Sequence, residues 1–132
     1  MRKCSLIIVT LVDGQETSFS CQAEMEGDLL FARLQYIQDD AKTIIEFKDR
    51  KVAIIREGDY SMRLNLEEEK ILLGKLKIGT TEGEFPVKTQ KIAYTITEKS
   101  LLASLHYQLM FEGGIQEMKI RLNAREIYSE EK

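Results

Sequence analysis

The chain of 132 residues has no tryptophan, one histidine, one proline and two cysteines, and each shortage removes a class of explanation. A lone proline argues against a linker-rich or disordered chain, as do hydrophobic and charged fractions of 43% and 31%. A zinc site needs several converging His, Cys or carboxylate ligands, and a chain with only His106 and no Cys-x-x-Cys spacing does not supply them. No stretch approaches the ~20 apolar residues of a membrane-spanning helix. Neither sign of charge dominates, with 19 Lys and Arg against 22 Asp and Glu. The resulting pI near 5.3 works against nucleic-acid binding. Lys75, Lys77, Lys88 and Lys91 read as solvated strand faces rather than a basic stripe. There is no Gly-x-Gly-x-x-Gly before a helix and no Walker-type loop, and Gly113-Gly114 is a hairpin turn, not a phosphate cradle.

The opening Met1-Arg2-Lys3 and the apolar residues after it superficially resemble a secretion signal. The apolar run is short, contains Ser5 and Thr10, and leads straight into Asp13-Gly14 with no cleavage site. A first strand is the better reading, and the cytoplasm is the expected compartment. There, Cys4 and Cys21 are expected as reduced, semi-buried thiols. A hairpin centred on Asp13-Gly14 places Cys4 opposite Ala23, close to Cys21 but not facing it.

What the chain does have is alternation. Met62, Leu64 and Leu66 face one way while Arg63 and Asn65 face the other. Leu101, Ala103, Leu105, Tyr107, Leu109 and Phe111 repeat the pattern over a longer run. Successive side chains of a strand point to opposite faces, so this period marks sheets with one wet and one buried side. Strands are expected over residues 3–12, 16–25, 29–37, 43–47, 51–56, 61–66, 70–78, 89–97, 100–112 and 115–124. Residues 79–83 read as a loop, and Pro86 marks a strand start, bulge or edge. No helix-length amphipathic segment carries credible caps. Residues 1–132 form one domain, with the charged tail 125–132 expected to fray. About eight to ten sequential antiparallel strands curl, and closing them into a barrel pairs every edge. The fold class is therefore all-β, an antiparallel meander closed into a barrel, with a sandwich as its main competitor.

A resemblance supports the barrel. The run Gly79-Thr80-Thr81-Glu82-Gly83-Glu84-Phe85 with Val87, Thr89 and Ile92, the upstream Arg56-Glu57-Gly58, and Leu105-His106-Tyr107-Gln108-Leu109 with Gly113 resemble the YwiB-like family of uncharacterised small bacterial proteins, found mainly in Gram-positive bacteria. The resemblance implies a calycin-like barrel of the lipocalin and streptavidin type and assigns no biochemical function. It has departures: family members often carry Tyr-x-Thr-Pro-aromatic-Gly where this chain has residues 79–83. True lipocalins close the barrel floor with a Trp that is absent here, so lipocalin-style transport is not carried over.

Chemistry is sparse. His106 lies on the opposite parity to the long apolar run, which points it to solvent. Carboxylate pairs such as Asp39-Asp40 and the run Glu67 to Glu69 fall in reversals, where solubility and turn formation already require them. No catalytic residue, metal or cofactor is assigned, and the chain reads as a non-enzyme. The inward-parity polar groups are more informative. Arg56 shares the parity of Val52 and Ile54, and a buried guanidinium needs a partner. Either a ligand anion meets it inside the barrel, or it reaches the rim and pairs with a Glu. Tyr36, Tyr94 and Tyr107 share parity with aliphatic neighbours and suit either a ligand pocket or a filled core. The expected function is a cytoplasmic barrel binding a small, partly apolar molecule in its interior, lined by Arg56, Tyr36, Tyr94 and Tyr107. The alternative is a packed barrel acting as a homodimer or protein-interaction module. Strands that are apolar on both parities, as in residues 6–11, Ile44-Ile45, Ile54-Ile55 and Leu72-Leu73, favour that alternative.

Overall fold

The computed structural model describes residues 2–127 and contains ten strands and no helix. In chain order they are β1 (Arg2–Val12), β2 (Gln15–Gly27), β3 (Phe31–Gln38), β4 (Ala41–Lys48), β5 (Lys51–Glu57), β6 (Tyr60–Glu67), β7 (Ile71–Ile78), β8 (Thr81–Ile96), β9 (Ser100–Phe111) and β10 (Gly114–Glu126). Each pairs antiparallel with its chain neighbours, and β10 returns to β1 with Leu6 opposite Ala124, so the sheet closes into a barrel. The chain closes as a barrel rather than as a sandwich.

The turns set the pairing. In Asp13-Gly14, Asp39-Asp40 and Asp49-Arg50 both central residues have positive φ, between 50° and 84°. Two left-handed residues are the condition of the tight hairpin turn whose twist matches that of its strands. The β1–β2 register follows from the first of these, with Cys4 opposite Ala23 and Leu6 opposite Cys21 as the sequence implies. Both cysteines are free thiols. Burial pushes both thiols above their ordinary pKa, Cys4 further through the neighbouring Cys21.

Alternation then fills the interior. Leu6 and Ile8, Leu34, Phe47, Val52, Leu64 and Leu66, Val87, Leu101 and Leu105, and Leu122 and Ala124 are all buried on the inward side. Gly74 also faces inward, and a Cβ there would come within 2.8 Å of the Phe85 ring and 3.0 Å of Leu64. The glycine is what lets that ring lie flat against the wall. Outward positions carry the charges, as where Arg33 on β3 lies between Glu26 at 3.3 Å and Glu46 at 3.6 Å. Apolar inside and charged outside is the reverse of a barrel that faces lipid. No helix is long and apolar enough to cross a membrane among the described residues.

Three expectations need correction. The loop expected at 79–83 is only the turn Gly79-Thr80, and the next element is one strand of 16 residues, Thr81–Ile96, with Pro86 inside it. Pro86 is tolerated because residues 81–86 pair with β7 alone; pairing with β9 begins at Val87. Val87 and Lys88 pair with both neighbours, and a bulge follows between Thr89 and Lys91, beyond the end of the β7 ladder. The third strand starts at Phe31, because the Asp28 carboxylate accepts the N–H groups of Leu30 and Phe31 and holds Leu29-Leu30 in a turn. Arg125 and Glu126 belong to β10, and the Ile127 N–H donates to the Lys3 carbonyl. The rest of the expected fraying tail lies outside the described residues.

Candidate functional site

The site arises from a mismatch in hairpin length. β1 and β2 form a long hairpin, whereas β3 and β4 are stopped early by Asp39-Asp40. β2 consequently pairs with β3 only over residues 24–27, opposite 32–35. Beyond that, residues 15–23 of β2 and 36–38 of β3 have no partner in each other, and the wall parts. Behind the gap lies a cavity of about 140 Å³.

Both sides of the gap line it. Thr17, Ser18 and Phe19 come from β2, Tyr36 and Gln38 from β3, and Ile8 and Thr10 from β1. Ile45, Ile54 and Ile120, on β4, β5 and β10, close the inner end. Phe19 and Tyr36 span the gap with ring centroids 6.2 Å apart. The cavity thus has an aliphatic floor, an aromatic wall and a rim of hydroxyls and one amide. No lining residue is charged. At ~30 Å³ per molecule it would hold about four or five waters. An apolar cavity of about 150 Å³ is known to admit benzene, so the space also suits a compact organic molecule.

Of the residues expected to line the interior, the structure brings together two. Tyr36 lines the cavity, and burial pushes its phenol up to about 12, against a hydrogen bond with Thr43 opposite it on β4. Tyr107 lies deeper, 2% exposed, and is shifted upward by burial and further by Tyr36 nearby. Tyr94 sits at the other end of the barrel. Its ring packs 5.2 Å from that of Phe47, and its hydroxyl accepts the Arg50 N–H at 3.0 Å. Arg56 does not line the cavity. Its guanidinium donates to the Tyr60 carbonyl at 2.9 Å and to Asp59 at 3.1 Å, and lies 3.7 Å above the Tyr60 ring. This is the rim arrangement, with an Asp in place of the Glu expected from sequence. Asp59 is held below the usual carboxylate range by that bond.

Thr10, Thr17, Phe19 and Gln38 were not assigned to the site by sequence. Their signal was available, since all four have inward parity, but only the parting of β2 and β3 distinguishes them from other inward residues. His106 faces outward, half-buried, 3.1 Å from the Glu117 carboxylate. A second and larger hollow, about 1100 Å³ and widely open, lies over the outward-facing Ile7 and Val9 of β1, Arg121 of β10, Leu102 of β9 and Ala93 of β8. Among its apolar members Ile7 and Leu102 are well exposed, at 49% and 45%, while Ile92, Ala103 and Leu122 beneath them are buried.

Fold and site together define a class: a closed ten-stranded antiparallel barrel with a small uncharged cavity behind a gap in its wall. Over residues 12–123 the chain matches the family described as a domain of unknown function, DUF1934, and it belongs to that family. It is similar in fold to the ywiB protein of Bacillus subtilis, known from a crystal structure, with a TM-score of 0.81 and 17% identity over 96% of this chain and 93% of that one. The resemblance read from the turn glycines is thereby borne out. No curated protein matches the chain.

Proposed function

We propose that this protein is a binding protein rather than an enzyme, and that the β2–β3 cavity takes a small, uncharged, partly apolar molecule. The observation that carries the reading is the lining itself: aliphatic and aromatic walls and a hydroxyl-rich rim with no charged group. A ligand bearing a full charge would be stripped of water there without a counter-charge, which is costly. A neutral molecule of about benzene's bulk, with one polar substituent directed at Thr10, Thr17 or Gln38, meets no such cost. The setting proposed is the cytoplasm, where thiols such as Cys4 and Cys21 stay reduced.

Isoleucine methyl groups provide the test, because Ile8, Ile45, Ile54 and Ile120 surround the cavity whereas Ile71 and Ile115 lie exposed elsewhere. Titration with phenol is expected to shift the first four methyl resonances and leave the last two in place. Ile120→Phe, which fills the space, is expected to abolish the shifts. Unmoved cavity methyls up to the solubility limit of phenol would end this reading. One observation favours a second reading, a protein-interaction module: the open hollow sets the apolar Ile7, Val9, Ala93 and Leu102 among the charged Asp49, Arg50, Glu68 and Arg121, and an exposed apolar surface rimmed by polar groups marks contacts.

A further inference from the structure

We infer that the free edge of β2 is an interaction surface whose partner is the same edge of a second copy of this chain. The inference goes beyond the ligand-binding reading and does not depend on it. In the β2–β3 pair the Asp28 N–H donates to the Phe31 carbonyl. Backbone groups alternate sides along a strand, so on β2 the even-numbered residues are those that point away from β1. Glu16, Ser18, Ser20 and Gln22 therefore present N–H and C=O groups beyond the parting of the wall. Among the described residues no backbone bond meets them.

The open edges of β8 are blunted. Residues 81–86 of β8, unpaired on the β9 side, carry Pro86, Glu82 and Glu84. The later part of β8 is covered by the turn after β6: Glu69 and Lys70 exchange backbone bonds with Thr89, and the Glu68 carboxylate accepts the Ile92 N–H. Residues 17–23 of β2, Thr-Ser-Phe-Ser-Cys-Gln-Ala, have no charge, no proline and no bulge. A bare edge of that kind is a template for another strand.

The edge also fits itself. A twofold axis normal to the sheet at Phe19 puts Phe19 opposite Phe19, Ser18 opposite Ser20, Thr17 opposite Cys21 and Glu16 opposite Gln22. Every even-numbered residue then exchanges backbone bonds with an even-numbered one, and no like charges meet. Shifting the axis to Ser20 would set Glu16 against Glu24, a like-charge pair, and Glu24 is already paired with Gln35. Such a contact is isologous and closes at two copies.

The test is sedimentation at micromolar concentration, combined with two variants. The full chain is expected to sediment at twice the monomer mass. Ser20→Pro removes an N–H that does not serve the β1 ladder and is expected to return the protein to monomer mass, with its circular dichroism unchanged. Thr17→Cys places a thiol opposite Cys21 of the second copy, in a pair whose Cα atoms are about 4.5 Å apart, within disulfide reach. With oxidised glutathione as the oxidant it is expected to give a covalent dimer, and Thr17→Cys combined with Cys21→Ser is expected to give none. A monomer at all concentrations, a dimer indifferent to Ser20→Pro, or no cross-link from Thr17→Cys overturns the inference. If Ser20→Pro does not fold, the cross-link decides alone.

Discussion

Tyr36 shows how much one side chain's surroundings decide. It shares a face of β3 with Leu34 and packs on Phe19, and its burial raises the phenol from 10.0 to about 12. The unfolded chain therefore releases this proton before the folded chain does. Stability from this group is complete below pH 10 and is lost as pH rises from about 10 to about 12, a loss of about 2–3 kcal/mol. Tyr107, shifted the same way, adds to the decline. Urea midpoints measured across this range are expected to fall, and Tyr36→Phe is expected to flatten part of that fall while lowering the midpoint at neutral pH through loss of the Thr43 bond. Arg56 teaches the complementary lesson. Its parity was legible in the sequence, but the Tyr60 carbonyl and Asp59, in and just beyond the next turn, satisfy it at the rim.

At the level of strands and turns, hairpin chemistry governs length, and length governs where the wall parts. Asp13-Gly14 has the residues its turn requires, but in Asp49-Arg50 an arginine holds φ at 62°. A non-glycine residue in the left-handed region costs about 1–2 kcal/mol, of which glycine's greater unfolded freedom offsets about 0.5–1. Arg50→Gly is therefore expected to stabilise the protein by about 0.5 kcal/mol in urea denaturation, with the bond from this residue's N–H to the Tyr94 hydroxyl retained. At the other end of β4, the early stop at Asp39-Asp40 sets β3 short of β2. The strand Thr81–Ile96 was the hardest element to read, because its proline and glycine have the composition of a loop. They are accommodated in a strand only because each half of it serves a different neighbour.

For the whole molecule the decisive contact is the one most distant in sequence, β10 against β1. Ala124 is fully buried opposite Leu6, and Arg125, the next residue, is exposed. Ala124→Asp places an unpaired carboxylate in the closed interior and is expected to cost several kcal/mol, on the order of 3–5. Arg125→Asp is expected to stay within about 0.5 kcal/mol. Equal effects in urea denaturation would mean that β10 does not present alternate faces to inside and outside. The closed wall has one consequence for function. Most of the interior is filled by Phe47, the leucines and Tyr107, so space for a ligand survives only where two neighbouring strands part.

The sequence by itself determined the strands, most of the turns and the β1–β2 register, because these rest on local alternation and on residues suited to left-handed turns. It also determined which side chains face inward, and so that Tyr36, Tyr94, Tyr107 and Arg56 share the inner parity. Only the tertiary structure decided that β10 meets β1, that β8 runs unbroken through Pro86, and that the cavity joins Tyr36 to Thr17, Phe19 and Gln38 but not to Tyr94. Those outcomes depend on how far each hairpin overlaps its neighbour once the barrel closes. That overlap is a property of all ten strands together and leaves no mark in any one of them.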